Sequence, residues 1–211
     1  MSLDGQKPVL YILPIGKGVA EKLCDNCGFP LDWSPDGGRI LYYSGQPVGY
    51  STIDVVTRQK VDVIRHPKYN IHRAHFSPDG NWIAFFVPMQ AEEGRSPIFI
   101  APLHNGVAAG ESEWIPVTDG TGIETAPWWS PDGGILYFLS QRDGFQCIWA
   151  QRLDKTTQRP LGAPFDVAHF HGARHKLNEG GFGPGIAPGK LVFTLSDSTG
   201  NIWTARPESP K

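Results

Sequence analysis

The chain has 211 residues, a formal net charge of −2, 40% hydrophobic and 19% charged residues, a balance that excludes general disorder and the concentrated basic surface that nucleic-acid phosphates require. No apolar run approaches the roughly 20 residues that span a bilayer. With 25 Gly, 19 Pro, 7 Trp, 6 Tyr and 11 Phe, the composition calls for many short segments and turns around large side chains, which is the profile of an all-β protein.

In chain order, Val9–Pro14 and Val19–Leu23 read as two short strands. The first is too short and too proline-marked for a signal sequence; with no signal peptide in the chain as given, a cytoplasmic and a periplasmic location both stay open. Next comes Leu31-Asp32-Trp33-Ser34-Pro35-Asp36-Gly37, which returns as Ala74-His75-Phe76-Ser77-Pro78-Asp79-Gly80 and as Pro127-Trp128-Trp129-Ser130-Pro131-Asp132-Gly133. A worn copy, Ile186-Ala187-Pro188-Gly189-Lys190, lacks both Ser and Asp. The spacing of these copies is close to the roughly 40–50 residues of a propeller blade, with insertions falling in loops. Pro presets φ, Asp bonds back to the backbone and Gly accepts positive φ, so each copy is a tight turn.

After each turn an apolar strand is predicted: Ile40–Tyr43, Ile83–Val87, Ile135–Leu139 and Leu191–Leu195. These near-continuous apolar runs fit strands buried on both faces. Third strands follow at Tyr50–Val55, Ile98–Leu103, Cys147–Leu153 and Asn201–Ala205, and fourth strands at Val61–Arg65, Glu113–Val117 and Phe165–Ala168. Four short antiparallel strands per repeat make a β-propeller blade. The expected organisation is one domain over 1–211, with a part-blade at 8–24, blades at 29–66, 73–118 and 126–168, and a last part-blade at 180–206. Counted from the centre outward, the chain opens on the third strand of a blade and ends without a fourth. The expectation is therefore an open arc of a larger propeller, four to five blades or part-blades long, with a closed four-bladed ring as the alternative. Open propeller ends expose sheet and apolar surface, so a homodimer or other self-association through them is expected.

The repeats resemble the TolB-type, WD-like propeller repeat of bacteria through Trp33–Gly37, Phe76–Gly80 and Trp129–Gly133, with Ile148-Trp149 and Ile202-Trp203 in the third strands. The likeness runs over nearly the whole chain. The stretch from His169-Phe170-His171 to Ile202-Trp203 looks like the C-terminal propeller portion of larger bacterial proteins, including kinase-fused propellers. That resemblance implies a scaffold or sensor that binds a protein or peptide partner. Fold alone does not fix function, so a propeller enzyme or accessory domain of a hydrolase or lyase, and a small-ligand sensor, stand as alternatives.

Candidate chemistry is sparse. Cys24-Asp25-Asn26-Cys27 has the spacing of half a zinc knuckle, but a structural site needs two more ligands. His72 and His75 could supply them; a disulfide or redox pair and simple turn cysteines are the other readings. His169, His171 and His175 with Arg174 form the densest histidine cluster, read as a polar outer strand running into a loop or as a contact for an anionic or peptide group. Asp36, Asp79 and Asp132 are one per blade and do not converge as a calcium site would require; they read as turn residues. Glu92 and Glu93 read as solvated loop carboxylates. Nucleophile-elbow, phosphate-loop and zinc-protease motifs are absent from the sequence. The expectation is a non-catalytic chain without a cofactor. Its working surface is expected on the loops leading into each first strand: His72, Arg73 and His75, then Glu124 and Trp128, then His171, Arg174 and His175.

Overall fold

The computed structural model describes residues 8–16, 18–89, 94–120, 122–172, 175–177 and 185–197, with backbone only at His175 and Lys176. Each intact repeat closes its turn with one small circuit. The Ser34 hydroxyl donates to Asp36 Oδ1 at 2.5 Å and accepts the Arg39 N–H at 2.9 Å. Ser77 does the same with Asp79 at 2.5 Å and Trp82 at 3.0 Å, and Ser130 with Asp132 at 2.7 Å and Ile135 at 2.9 Å. Gly37, Gly80 and Gly133 all sit near φ +70°, a conformation open to glycine at no steric cost. The shared motif thus sets the start of the second strand identically three times.

Those turns organise three antiparallel sheets in sequence order. In the first, β3 (Pro30–Trp33), β4 (Arg39–Ser44), β5 (Gly49–Asp54) and β6 (Lys60–Ile64) lie side by side. The second runs β7 (His72–Phe76), β8 (Trp82–Phe86), β9 (Ile98–His104), with both β10 (Val107–Ala108) and β11 (Ile115–Pro116) pairing β9. The third is β12 (Glu124–Trp129), β13 (Ile135–Ser140), β14 (Cys147–Arg152) and β15 (Phe165–Ala168). Before them β1 (Val9–Ile12) pairs β2 (Glu21–Asp25).

The second strands are buried on both faces, and this is what stacks the sheets. Ile83 and Phe85 pack with Leu41, Tyr50 and Val63 of the preceding sheet. Their alternating neighbours Ala84 and Phe86 pack with Trp129, Leu136 and Phe138 of the following one. A third cluster joins Leu10 and Leu23 of the first pair to Ile40, Tyr42 and Ile53. Core is therefore distributed between neighbours, and the chain is all-β, a partial and open propeller of four-stranded blades. Among the described residues no helix is long and apolar enough to cross a membrane.

Two places depart from expectation. The strand foreseen at Glu113–Val117 is shortened to Ile115–Pro116, because Glu111–Glu113 form a single 3-10 turn. Ahead of it Asn105 and Gly106, both at positive φ, form the Asn-Gly reverse turn typical of a two-residue hairpin, and β10 folds back on β9 with Val107 opposite His104. The worn repeat is the other. Among the described residues its strands are β16 (His175–Leu177) and β17 (Gly185–Ala187), and the strand foreseen at Leu191–Leu195 is divided between β18 (Lys190–Val192) and β19 (Leu195–Asp197). β17 pairs β18 across Pro188-Gly189, and β16 pairs β19. Without Ser and Asp the five-residue turn circuit is lost, and a two-residue hairpin replaces it. The strand foreseen at Asn201–Ala205, Ile202-Trp203 and Glu92-Glu93 lie outside the described residues.

Candidate functional site

The innermost strands bring part of the expected surface together. His72, Arg73 and His75 lie within β7 rather than in the loop before it. A register shift between His72 and His75, with Arg73 at φ +50°, marks a bulge, and β12 repeats it between Thr125 and Trp128 with Ala126 at φ +54°. Such bulges re-aim side chains. His72 turns onto Phe86, ring centroids 5.5 Å apart; burial, then the Arg73 charge, holds its pKa below the ordinary histidine value. His75 turns toward Asp32 of the previous blade, Nδ1 to Oδ2 3.4 Å.

Asp32 and Trp129 join neighbouring blades at this level. Asp32 Oδ2 accepts the Phe76 N–H at 2.9 Å, and the Trp129 indole N–H donates to the His75 carbonyl at 3.2 Å. Above these contacts opens a groove of about 350 Å³, lined by Asp32, Trp33, His75, Phe76, Trp128 and Trp129 and rimmed by Pro35, Pro78 and Pro131. Trp33 is 48% exposed there. An indole face that open, beside a carboxylate–imidazole pair, offers an aromatic anchor with a polar handle.

The other expected residues are placed elsewhere. Glu124 is fully buried and ion-paired with Arg142, whose guanidinium lies 5.0 Å from the Trp149 ring centroid; this is an internal strut. Trp128 is only 7% exposed, packed with Leu139, Ile148 and Leu177, so it reaches the groove as its wall. His175 starts β16, and Arg174 lies outside the described residues. His171 is far from β7, at the outer edge of the third blade.

There a second constellation assembles from residues distant in sequence. Asp143 sits in the loop between β13 and β14, Cys147 opens β14, and His169 and His171 follow β15. Asp143 Oδ2 is 2.9 Å from His169 Nδ1 and 2.9 Å from His171 Nε2, and the two ring nitrogens are 3.1 Å apart. The buried Cys147 Sγ completes the group, all four atoms lying within 4.8 Å of one another. The Phe170 N–H donates to Cys147 Sγ at 3.3 Å. Burial raises the Cys147 thiol pKa, more than this N–H lowers it. The cluster exists because β14 pairs β15 with Ile148 opposite Ala168, which sets Cys147 across from His169. That pairing is the signal that connects Asp143 and Cys147 with the histidines.

Cys24 and Cys27 form a disulfide with Cα atoms 6.1 Å apart. Disulfide sulfurs are not thiolate ligands, and His72 and His75 are engaged with Phe86 and Asp32, so the zinc reading of that pair does not hold.

No protein-family model matches the chain. Among solved structures it is similar to TolB from Acinetobacter baumannii, with 21% identity, TM-score 0.61, and coverage of 90% of this chain and 46% of that one. Prolyl oligopeptidase B from Galerina marginata matches with 16% identity, TM-score 0.55, and 85% and 28% coverage. The acylaminoacyl peptidase of Pyrococcus horikoshii matches with 11% identity, TM-score 0.53, and 82% and 29% coverage. The chain thus spans less than half the length of each of these three structures. At these identities the likeness establishes the propeller fold, including its TolB-like form.

Proposed function

We propose that the chain is a non-catalytic platform that binds an extended segment of a partner protein in the groove between the inner strands. The observation that carries this is the half-exposed Trp33 lining one groove with Trp129, Phe76 and the Asp32–His75 pair. Aromatic side chains of this kind dominate binding energy when a partner desolvates them. The polar groups near the groove are already occupied in joining blades: Asp32 accepts the Phe76 and Trp33 N–H groups, and the His75 carbonyl takes the Trp129 indole. Such groups hold a surface in shape. The TolB likeness supports a binding role as well.

The test is selection of extended peptides from a display library on the full chain. Selected peptides are expected to lose affinity about 10-fold or more on Trp33→Ala, a change at an exposed position. Peptides indifferent to that change, or turnover of peptide substrates by the purified chain, would overturn the proposal. The reading extends to self-association through the β1–β2 pair, where Tyr11 and the adjoining Leu13 are 57% and 60% exposed. Exposed apolar surface on a two-stranded pair favours a second copy. Light scattering after size exclusion is expected to give a dimer, and a monomer at all concentrations would contradict it.

A further inference from the structure

Beside the β13–β14 loop, the third blade gathers four side chains of metal-ligating types into one small cluster. Asp143 Oδ2, His169 Nδ1 and His171 Nε2 form a triangle with sides of 2.9, 2.9 and 3.1 Å. The other nitrogen of His169, Nε2, faces Asp166 Oδ2 at 3.3 Å. Three atoms of metal-ligating types thus converge on one point beside a thiol.

We propose that Asp143, Cys147, His169 and His171 bind one zinc ion. An ion about 1 Å above the plane of the triangle stands about 2 Å from each of its three atoms, which is the length of Zn–N and Zn–O bonds. Cys147 Sγ, on the same cluster, is the fourth corner after a movement of about an ångström, toward a Zn–S bond of about 2.3 Å. Two imidazoles, a thiolate and a carboxylate are a zinc donor set. As the Zn–S bond forms, the thiol proton leaves to solvent. The surroundings are those of a metal site: Asp166 orients His169 from behind, as outer-shell carboxylates do, and the Phe170 N–H already points at the sulfur.

All four corners come from protein, so the site is closed and structural; a catalytic zinc keeps a position open. It joins the β13–β14 loop, the start of β14 and the segment leaving β15, and so clips the connection to the last repeat onto the third blade.

The experiment is metal analysis and zinc titration of the untagged full chain, purified without chelator. One zinc per chain is expected, with a higher melting temperature than the chelator-treated protein. Cobalt substitution is expected to give a thiolate-to-metal charge-transfer band that Cys147→Ser removes. His171→Ala, at a half-exposed ring stacked on Phe145, is expected to abolish stoichiometric binding. Asp166→Asn is expected to weaken binding about 10- to 100-fold. Cys24→Ser with Cys27→Ser, and His104→Ala, leave it unchanged. Absence of stoichiometric zinc, or zinc retained by His171→Ala, overturns the proposal.

Discussion

The joint between the second and third blades and the joint between the third blade and the last repeat are built from the same kind of repeat, yet differ in how completely they close. In the first, Ala84, Ile98 and Ile100 meet Leu136 and Phe138 with none of these residues exposed, and the Trp129 indole adds a hydrogen bond across the seam. In the second, Trp128, Leu139 and Ile148 meet one buried residue of the last repeat, Leu177, and otherwise the partly buried Ile186, Leu191 and Phe193, and the facing strand is split. The difference lies in a few residues at the turn. Where Ser and Asp fix the hairpin, the following strand presents both faces to its neighbours; where Ala187-Pro188-Gly189 stands instead, the strands are short and half open.

The largest way to break that contrast is at the packing. Phe138→Ala empties a fully buried position and is expected to cost about 3–5 kcal/mol, measured by denaturant unfolding. Leu191→Ala on the looser joint is expected to cost about 1 kcal/mol or less. Equal losses would mean that the two joints are equally tight. A smaller effect is expected at the turns. Ser77 is buried, and Ser77→Ala leaves Asp79 and the Trp82 N–H without its hydroxyl, a loss of about 1–2 kcal/mol. Ala187→Ser, which restores a hydroxyl where no Asp waits for it, is expected to change stability by less than about 0.5 kcal/mol.

The smallest and most diagnostic effect is in acid. Ser34 first, then the Gly38 N–H, holds the Asp36 carboxyl below its ordinary value. At Asp132, Lys155 and Ser130 do the same. At Asp79 burial works upward, but hydrogen bonds from Ser77 and Asn81 outweigh it. A carboxyl whose folded pKa lies below its unfolded value stabilises the fold above the unfolded value, about 4, and loses that contribution as pH falls toward the folded one. Stability is therefore expected to decline below about pH 4 in a titration of unfolding midpoints. Ser77→Ala should flatten the share due to Asp79, and an unchanged profile would detach the turn circuit from the acid response.

The parts of this architecture written in local chemistry could be read directly. The Ser-Pro-Asp-Gly turns, the apolar second strands and the stacking they impose all follow from residue type and spacing over a few positions. The split of the last repeat was not legible, because only the missing Ser and Asp signalled it and their loss does not specify a replacement. The Asn105-Gly106 hairpin carries its own local signal, which competes with the four-strand blade pattern around it. The site residues divided similarly. His75 was recognised and does face the groove, whereas Trp33 looked like a repeat residue, and nothing local distinguishes an indole that stays open from one that is covered. Glu124 looked like a surface acid because its partner Arg142 follows it by a whole hairpin. Asp143 and Cys147 meet His169 only through the β14–β15 register.

The links between inner strands bear on how such a chain can be lengthened or shortened. Asp32 reaches forward to the backbone of the next blade, and Trp129 reaches back to the backbone of the one before. Both receivers are main-chain groups of the second blade, an N–H that any residue but proline supplies and a carbonyl. Removal of the second blade as a unit would thus bring Asp32 and Trp129 to one joint, each with a main-chain receiver on the other's blade, whereas a duplicated second blade would meet its copy without either side chain. Recombination can then shorten the array without inventing new contacts but not lengthen it at the second blade, and sequence can drift at the receiving positions while the blade-to-blade connection survives.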